Sequence, residues 1–151
     1  MSLLTILIIF NIFIMACVFG IAVCSSLIVH PSLLAVPRQS AVDMFRPFFH
    51  KSAHYQLILS LVVLGGSLLI SIVSQNWWWF GGAVFLQTSG PYTLKILMPT
   101  NNRIMAEGAD VNSEAMTHDL IAWGRLHAPR TIISAITLLW FLICGFSLAL
   151  V

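Results

Sequence analysis

Charged residues are scarce in this sequence. Of its 151 residues, 8% are Asp, Glu, Lys or Arg, whereas 59% are hydrophobic. Soluble globular domains carry about 25% charged residues, so this composition excludes an ordinary soluble domain. The formal net charge of +2 is small, and no basic cluster is dense enough to indicate nucleic acid as a partner.

Paired cysteines are also missing. Cys17, Cys24 and Cys144 all lie in apolar runs, and none belongs to a CxxC pair. The cysteines therefore indicate neither a redox compartment nor a thiol–disulfide mechanism. The chain also has no internal repeat and no low-complexity segment.

Long apolar runs, in contrast, are abundant. A helix that crosses a bilayer needs roughly 20 apolar residues, and four segments meet this requirement: residues 3–29, 54–74, 78–98 and 131–151. The first lacks a basic leading region and exceeds the apolar core of about 7–15 residues in a secretory signal, so we expect a retained span. The sequence predicts one all-α integral membrane domain over residues 1–151, a four-transmembrane-helix up-down bundle.

The connections between these spans are unequal. Residues 75–77 predict a tight hairpin, whereas residues 30–53 and 99–130 are long and contain or border every Lys, Arg, Asp, Glu and His. Because successive spans alternate in direction, both long loops form a polar cap on one side. The positive-inside rule places these loops in the cytoplasm and both termini outside, in the plasma (inner) membrane if the protein is bacterial. Trp77, Trp78 and Trp79 are expected at the opposite interface.

Two helix starts are predicted within the long loops. Asn112 or Ser113 can cap a helix that has Glu114 in its first turn and runs to about Leu126. Pro47 suits the first turn of a helix that continues into the second span.

All five histidines fall on the side of the polar cap. His50 and His54 are four residues apart, which places them on one helical face where they can share a metal ion. His118, from the other long loop, is the third predicted metal ligand. The alternative is that these histidines are interfacial residues with solvated polar tips.

A second group of polar residues precedes the last apolar run. In HDLIAWGRLHAPR, residues 118–130, the spacing of Trp123, His127 and Arg130, continued by Ser134, predicts one helical face. Pro129 either starts the fourth span or kinks a continuous helix. A snorkelling anchor explains Arg130 alone, but it does not explain Trp123 and His127 on the same face.

The stretch PTNNRI, residues 99–104, followed by Trp123, His127 and Arg130, resembles the anthrone oxygenase family of small four-span membrane proteins. The resemblance covers most of the chain. It implies oxygenation of anthrones to anthraquinones by cofactor-free chemistry, with Asn101, Asn102, Trp123, His127 and Arg130 as the matching site residues. His50 and His54 are outside the motif, and they leave copper, iron or haem open as a cofactor.

The leading hypothesis is therefore a membrane-embedded oxygenase or oxidase that acts on a lipophilic, anthrone-like or phenolic substrate from the bilayer. His127 is the predicted base, with His50 as the competing candidate, while Arg130 and an asparagine stabilise an oxyanion. One alternative is a redox subunit that binds copper, iron or haem. Another is an accessory subunit of a larger membrane complex, with other membrane subunits or further copies of this chain as partners.

Overall fold

The computed structural model describes residues 1–149, and every regular element in this part of the chain is helical. We number the helices in chain order: α1 Leu3–Ala35, α2 Arg38–Ser74, α3 Trp78–Gln87, α4 Ser89–Tyr92, α5 Met98–Ile104 and α6 Glu114–Ala149. A π-helical turn, Ser25–Val29, lies within α1, and a second, Thr93–Leu97, connects α4 to α5. Residues 150–151, the end of the fourth predicted span, lie outside the described part.

Three helices are long and apolar enough to cross a membrane. These are α1, α2 and the part of α6 from Glu114 to Ser147, so the all-α class is confirmed and a membrane protein is indicated. The predicted span at residues 78–98 is helical but is not among the three, because it is interrupted at Thr88 and again by the second π-helical turn. Pro91 contributes to the first interruption, since it has no N–H to donate to the carbonyl of Gln87.

The tight connection between α2 and α3 is confirmed. α2 ends at Ser74, and Gln75 adopts the left-handed conformation with φ of 55°. The side chain of Asn76 then accepts a hydrogen bond from the backbone N–H of Trp78 at 3.1 Å, at the start of α3. Three residues therefore reverse the chain direction.

The first long connection was wrongly predicted as a loop that becomes helical only at Pro47. α1 continues to Ala35, and only Val36 and Pro37 separate it from α2, so Pro47 lies inside α2 and not in its first turn. The physical reason is amphipathic spacing: Ala41, Phe45 and Phe49 recur every four residues and are buried, whereas the charged residues of this region occupy the other faces.

The second long connection is also mostly helical. Of the two predicted caps, Asn112 and Ser113, it is Ser113 that caps α6, because its hydroxyl accepts a hydrogen bond from the N–H of Met116 at 3.2 Å. The helix does not end near Leu126, however, but runs through Pro129 into the apolar run. Helical extensions therefore take the place of the two predicted loops, residues 30–53 and 99–130, and the non-helical residues within them are 36–37 and 105–113.

Two hydrophobic clusters divide the core. The span cluster lies within the apolar segments and contains Met15, Val18, Val63, Ile70, Trp79, Ala83, Leu86, Phe141 and Cys144. The extension cluster joins the helical extensions and contains Leu33, Ala41, Phe45, Phe49, Ile104, Met116, Leu120 and Trp123. Of the three tryptophans predicted at the far interface, Trp77 and Trp78 are exposed, but Trp79 is fully buried against Phe141, with a ring separation of 5.1 Å.

A polar contact fixes α1 against α2 inside the span cluster. Asn11 is buried, and its Nδ2 donates to Ser67 Oγ at 2.9 Å. A Cβ atom at Gly66 would lie 2.5 Å from Asn11 Oδ1, whereas one at Gly65 would meet nothing within 4 Å. Gly66 therefore permits the close approach of the two helices, as small residues do at membrane helix interfaces.

We expect Gly66→Ala to lower the free energy of unfolding by about 1–3 kcal/mol, because the new methyl group displaces Asn11 from its hydrogen bond. Gly65→Ala is the matched control and should be neutral or slightly stabilising. Unfolding of both purified variants in mixed micelles, followed by circular dichroism, measures the difference. Equal stability of the two variants would contradict the assigned contact.

Candidate active site

A cavity of about 380 Å³ lies between the two hydrophobic clusters. Val18 and Leu86 of the span cluster line one part of its wall, and Phe49 of the extension cluster lines another. Polar side chains from α2, from α6 and from the interrupted segment, residues 78–98, also reach the wall: Gln56, Ser60, Gln87, Ser89, Thr93, Arg130 and Ser134. The site is thus a mainly apolar chamber with a few polar groups, which is the usual character of a small-molecule site.

The helix interruptions supply much of this wall. Gln87, Ser89 and Gly90 flank the break at Thr88, and Thr93 and Leu94 belong to the second π-helical turn. Gln87 Nε2 also donates to the carbonyl of Ser60 across the helix interface at 3.0 Å. The segment that departs most from a regular helix is therefore the segment that borders the chamber.

Both π-helical turns end two residues before a proline. Ser25–Val29 precedes Pro31, and Thr93–Leu97 precedes Pro99. A proline has no N–H, and its ring collides with the carbonyl four residues earlier, so a wider turn can relieve the clash. Pro47 and Pro129 lie in α2 and α6 without such a turn, which shows that proline alone does not require one.

Arg130 brings a positive charge to the chamber wall. It is half-buried, and its Nη2 donates to Oε1 of the buried Gln56, which also lines the chamber. Among residues 1–147, no carboxylate lies within ion-pair distance of Arg130, because the ion pairs there involve only Asp119 with Arg103 or His118. A cation in apolar surroundings with a neutral partner favours an anionic ligand.

His127 lies one helical turn before Arg130 and is buried. Its ring stacks on Trp123 with centroids 5.0 Å apart, and its Nδ1 is 3.0 Å from the hydroxyl of Ser26. Trp123, His127 and Ser134 are all buried, so the predicted helical face does point inward. His127 itself does not line the chamber.

The other predicted site residues occupy different environments. Trp123 belongs to the extension cluster, where its ring meets Phe45 edge-on at 5.4 Å, and its Nε1 has no hydrogen-bond partner. Asn101 is fully buried, with Nδ2 3.8 Å from Met98 Sδ and with Oδ1 unpaired. Asn102 is exposed and does not line the chamber. Arg130 is thus the one matching residue of the five that reaches it.

An ion pair that the sequence analysis missed connects the two motif stretches. Arg103 donates from Nε to Asp119 Oδ2 at 2.8 Å and from Nη2 to Oδ1 at 2.7 Å, and it also bonds Thr100. The available signal was that Arg103 is the one charged residue of the first stretch and Asp119 the one acidic residue of the second. Gln56 was missed as well, although a lone glutamine within an apolar run is a recognisable exception.

His30 provides a second connection between α1 and α6. Its Nε2 donates to the carbonyl of Leu120 at 3.1 Å, and its ring lies directly against Gly124, where any side chain would overlap it. The ring also contacts Trp123 at 5.7 Å. His30 therefore holds the helix that carries Trp123 and His127 in place through packing and one hydrogen bond.

The predicted metal ligands do not form a three-residue site. His50, His54 and His118 are exposed, and within the part of the chain that the structure describes no three His, Cys, Asp or Glu residues are placed to hold a metal ion. Metal binding by the His50–His54 pair alone stays a prediction.

These features define a helical membrane protein with an arginine at the wall of an apolar chamber. The chain belongs to the anthrone oxygenase family, because the sequence model of that family matches residues 45–140. This range includes Gln56, the interrupted segment and Arg130, and it gives an oxygenase-like function at the level of the family. No curated protein and no solved structure matches the chain.

We expect Asp119→Asn to lower the free energy of unfolding by about 1–2 kcal/mol, since it removes a charge-assisted double contact. The Arg103 guanidinium holds the pKa of Asp119, which precedes the predicted span, below its usual range. This stabilisation is therefore present above the pKa of the unfolded carboxyl and is lost as the pH falls through the folded pKa. Unfolding of wild type and variant between pH 7 and pH 3 should show the difference disappearing at the acidic end.

The matched control for this measurement is Asp43→Asn. Asp43 is exposed and accepts a hydrogen bond only from Gln39 on its own helix, at 2.9 Å. Its substitution should change stability by less than about 0.5 kcal/mol. A pH-independent effect of Asp119→Asn would show that the ion pair is not its cause.

Proposed function

We propose that this protein is a membrane-embedded oxygenase that inserts oxygen into the activated methylene group of a lipophilic, anthrone-like or phenolic substrate. The observation that carries the proposal is the guanidinium of Arg130, which lies at the wall of an apolar chamber with neutral Gln56 as its partner. Such a site fits a hydrophobic ring system that becomes an anion during the reaction.

The proposed chemistry needs only the substrate, dioxygen and a base. The base removes a proton from the methylene carbon, and the charge moves to the conjugated oxygen, where Arg130 stabilises the enolate. The enolate carbon then bonds to dioxygen, and the returned proton gives a hydroperoxide. Loss of water from the hydroperoxide forms the new carbonyl, so that one methylene and one dioxygen give one ketone and one water.

His127 is the proposed base. A neutral imidazole accepts protons efficiently near pH 7, and helical spacing places His127 one turn from Arg130 on the same buried face. Because His127 lies behind the chamber wall in the free protein, proton transfer requires a bridging water or a side-chain movement on substrate binding. Catalytic hydrogen bonds often form fully only in the substrate complex.

The outer wall of the chamber supports entry from the bilayer. Leu57 on α2 and Leu94 in the second π-helical turn both line the chamber, although they are 58% and 71% exposed. They lie among the apolar residues that would face lipid. A substrate dissolved in the membrane can therefore reach the chamber between α2 and the interrupted segment without crossing the polar surface.

We also propose a four-pass topology with the helical extensions in the cytoplasm. Arg38, at the start of α2, donates to the carbonyls of Asn112 and Ser113 at the start of α6. α2 ends at Ser74, so the chain must return from the opposite side through residues 78–104. The interrupted segment is therefore the third pass, and its irregular backbone is tolerated because it borders the protein interior.

Orientation can be measured with reporter fusions at the C-terminus. Because all Lys and Arg residues lie in or beside the extensions, the positive-inside rule predicts an extracytoplasmic C-terminus. Alkaline phosphatase fused there should be active, and a phosphatase inserted at residues 106–108 should be inactive. A fluorescent cytoplasmic reporter at the C-terminus would reverse the proposed orientation.

Activity should depend on Arg130 and His127. Arg130→Lys retains the charge but loses the planar guanidinium, and His127→Gln removes the proton acceptor. We expect both variants to fold normally and the histidine variant to lose roughly 10²- to 10⁴-fold in rate. The measurement is oxygen uptake with anthrone by the purified protein in nanodiscs, together with product analysis.

Two exposed residues of α6 provide matched controls. Arg125→Lys and His118→Gln repeat the same substitutions on the same helix, at side chains that lie outside the chamber. Both should retain wild-type activity. If Arg130→Lys and His127→Gln are as active as these controls, Arg130 is a membrane anchor and the oxygenase proposal fails.

A further inference from the structure

Two hydroxyl groups and one imidazole form a chain of hydrogen bonds between α6 and α1, beside the chamber. Thr131 Oγ1 is 3.2 Å from the carbonyl oxygen of Ala22 and 2.8 Å from Ser26 Oγ, and Ser26 Oγ is 3.0 Å from His127 Nδ1. The first π-helical turn contains Ser26. Such turns occur frequently at functional sites.

The direction of each hydrogen bond in this chain follows from the carbonyl. A carbonyl oxygen can only accept, so the single hydroxyl proton of Thr131 goes to Ala22. Thr131 Oγ1 must then accept from Ser26, which uses the single hydroxyl proton of Ser26. Ser26 Oγ has only lone pairs left for His127, and the proton between them must therefore be on Nδ1 of the imidazole.

From this geometry we infer that Ser26 and Thr131 are positioning residues that hold neutral His127 as its Nδ1–H tautomer, so that Nε2 carries the free lone pair. This inference rests on the proposed function only in assigning Nε2 as the atom that takes the substrate proton. The ring also stacks on Trp123, which fixes the plane of the imidazole and leaves a half-turn about the Cβ–Cγ bond as its main freedom. The bond to Ser26 restricts that rotation and orients Nε2.

Ser26 lies outside the range that matches the family model, residues 45–140, and the resemblance that identified His127 did not include it. Its role comes from tertiary contact across 101 residues of sequence. The carbonyl of Ala22, which sets the direction of the chain, belongs to a residue that also lines the chamber.

Nitrogen-15 NMR of histidine-labelled protein in nanodiscs tests the inference without any substrate. The ring signals of His127 are identified by their loss in His127→Gln. In wild type we expect the protonated nitrogen to be Nδ1.

Ser26→Ala removes the acceptor and should convert His127 to the Nε2–H form or to a mixture. Thr131→Val frees the hydroxyl proton of Ser26 and should allow the same conversion, whereas Thr131→Ser should retain the wild-type spectrum.

Ser32→Ala is the matched control, because Ser32 is an exposed serine of the same helix that donates to Ile28 at 2.7 Å. It should leave the His127 signals unchanged.

In oxygen uptake, Ser26→Ala should lower kcat about tenfold, the equivalent of roughly one hydrogen bond, with KM within about twofold of wild type. A structural role alone would not change the tautomer.

The two readouts separate the possible failures. An Nε2–H signal for His127 in wild type, or an unchanged Nδ1–H signal in Ser26→Ala, overturns the positioning role of Ser26 whatever the activity. The expected NMR changes without any oxygen uptake by wild type would support that positioning role and refute the proposed oxygenase. Conversely, wild-type kcat in a Ser26→Ala variant whose tautomer has changed would show that Nε2 is not the reacting atom.

Discussion

Backbone hydrogen bonding in apolar surroundings is the constraint on which the rest of this structure depends. With no water to satisfy the backbone N–H and C=O groups, each long apolar segment satisfies them internally as a helix. Such segments make up much of this chain, because 59% of its residues are hydrophobic. The departures from regular helix are therefore informative. The π-helical turn at Ser25–Val29 presents Ser26 to His127, and the turn at Thr93–Leu97 supplies part of the chamber wall. A proline follows each turn and contributes to it, although proline alone does not require such a turn.

The placement of charge is the second organising feature. Where charges are paired, as in Arg103 with Asp119, they join elements of the helical extensions. Arg130 differs because it reaches an apolar chamber with a neutral glutamine as its partner. Keeping a guanidinium there costs solvation energy, and a bound anion would offset that cost. The same argument explains why a neutral amide, and not a carboxylate, suits position 56: a permanent counter-ion would cancel the field that the proposed enolate needs.

Much of the fold could be read from the sequence, but the connections could not. Apolar length located three helices that are long enough to cross a membrane, and the tight connection at residues 75–77 was predicted correctly. Of the two predicted caps, Asn112 and Ser113, the structure uses Ser113. Most of the region 30–53 was mistaken for a loop because of its charges and histidines, and Pro47 was taken as the start of the helix. Its helix depends on burying Phe45 against Trp123, which Phe48 also meets edge-on, and that partner is more than 70 residues away in the sequence. Propensity within a short window cannot reveal such a contact.

By itself, the sequence determined the membrane character, the helical class and the buried face that carries Trp123, His127 and Ser134, since these follow from composition and a helical period. Only the tertiary structure decided what each side chain of that face meets. It separated Arg130, at the chamber, from His127 behind the wall, joined Ser26 to His127, and left His50, His54 and His118 exposed. The physical reason is that periodicity fixes the direction of a side chain from its own helix, whereas its partners depend on how separate helices pack.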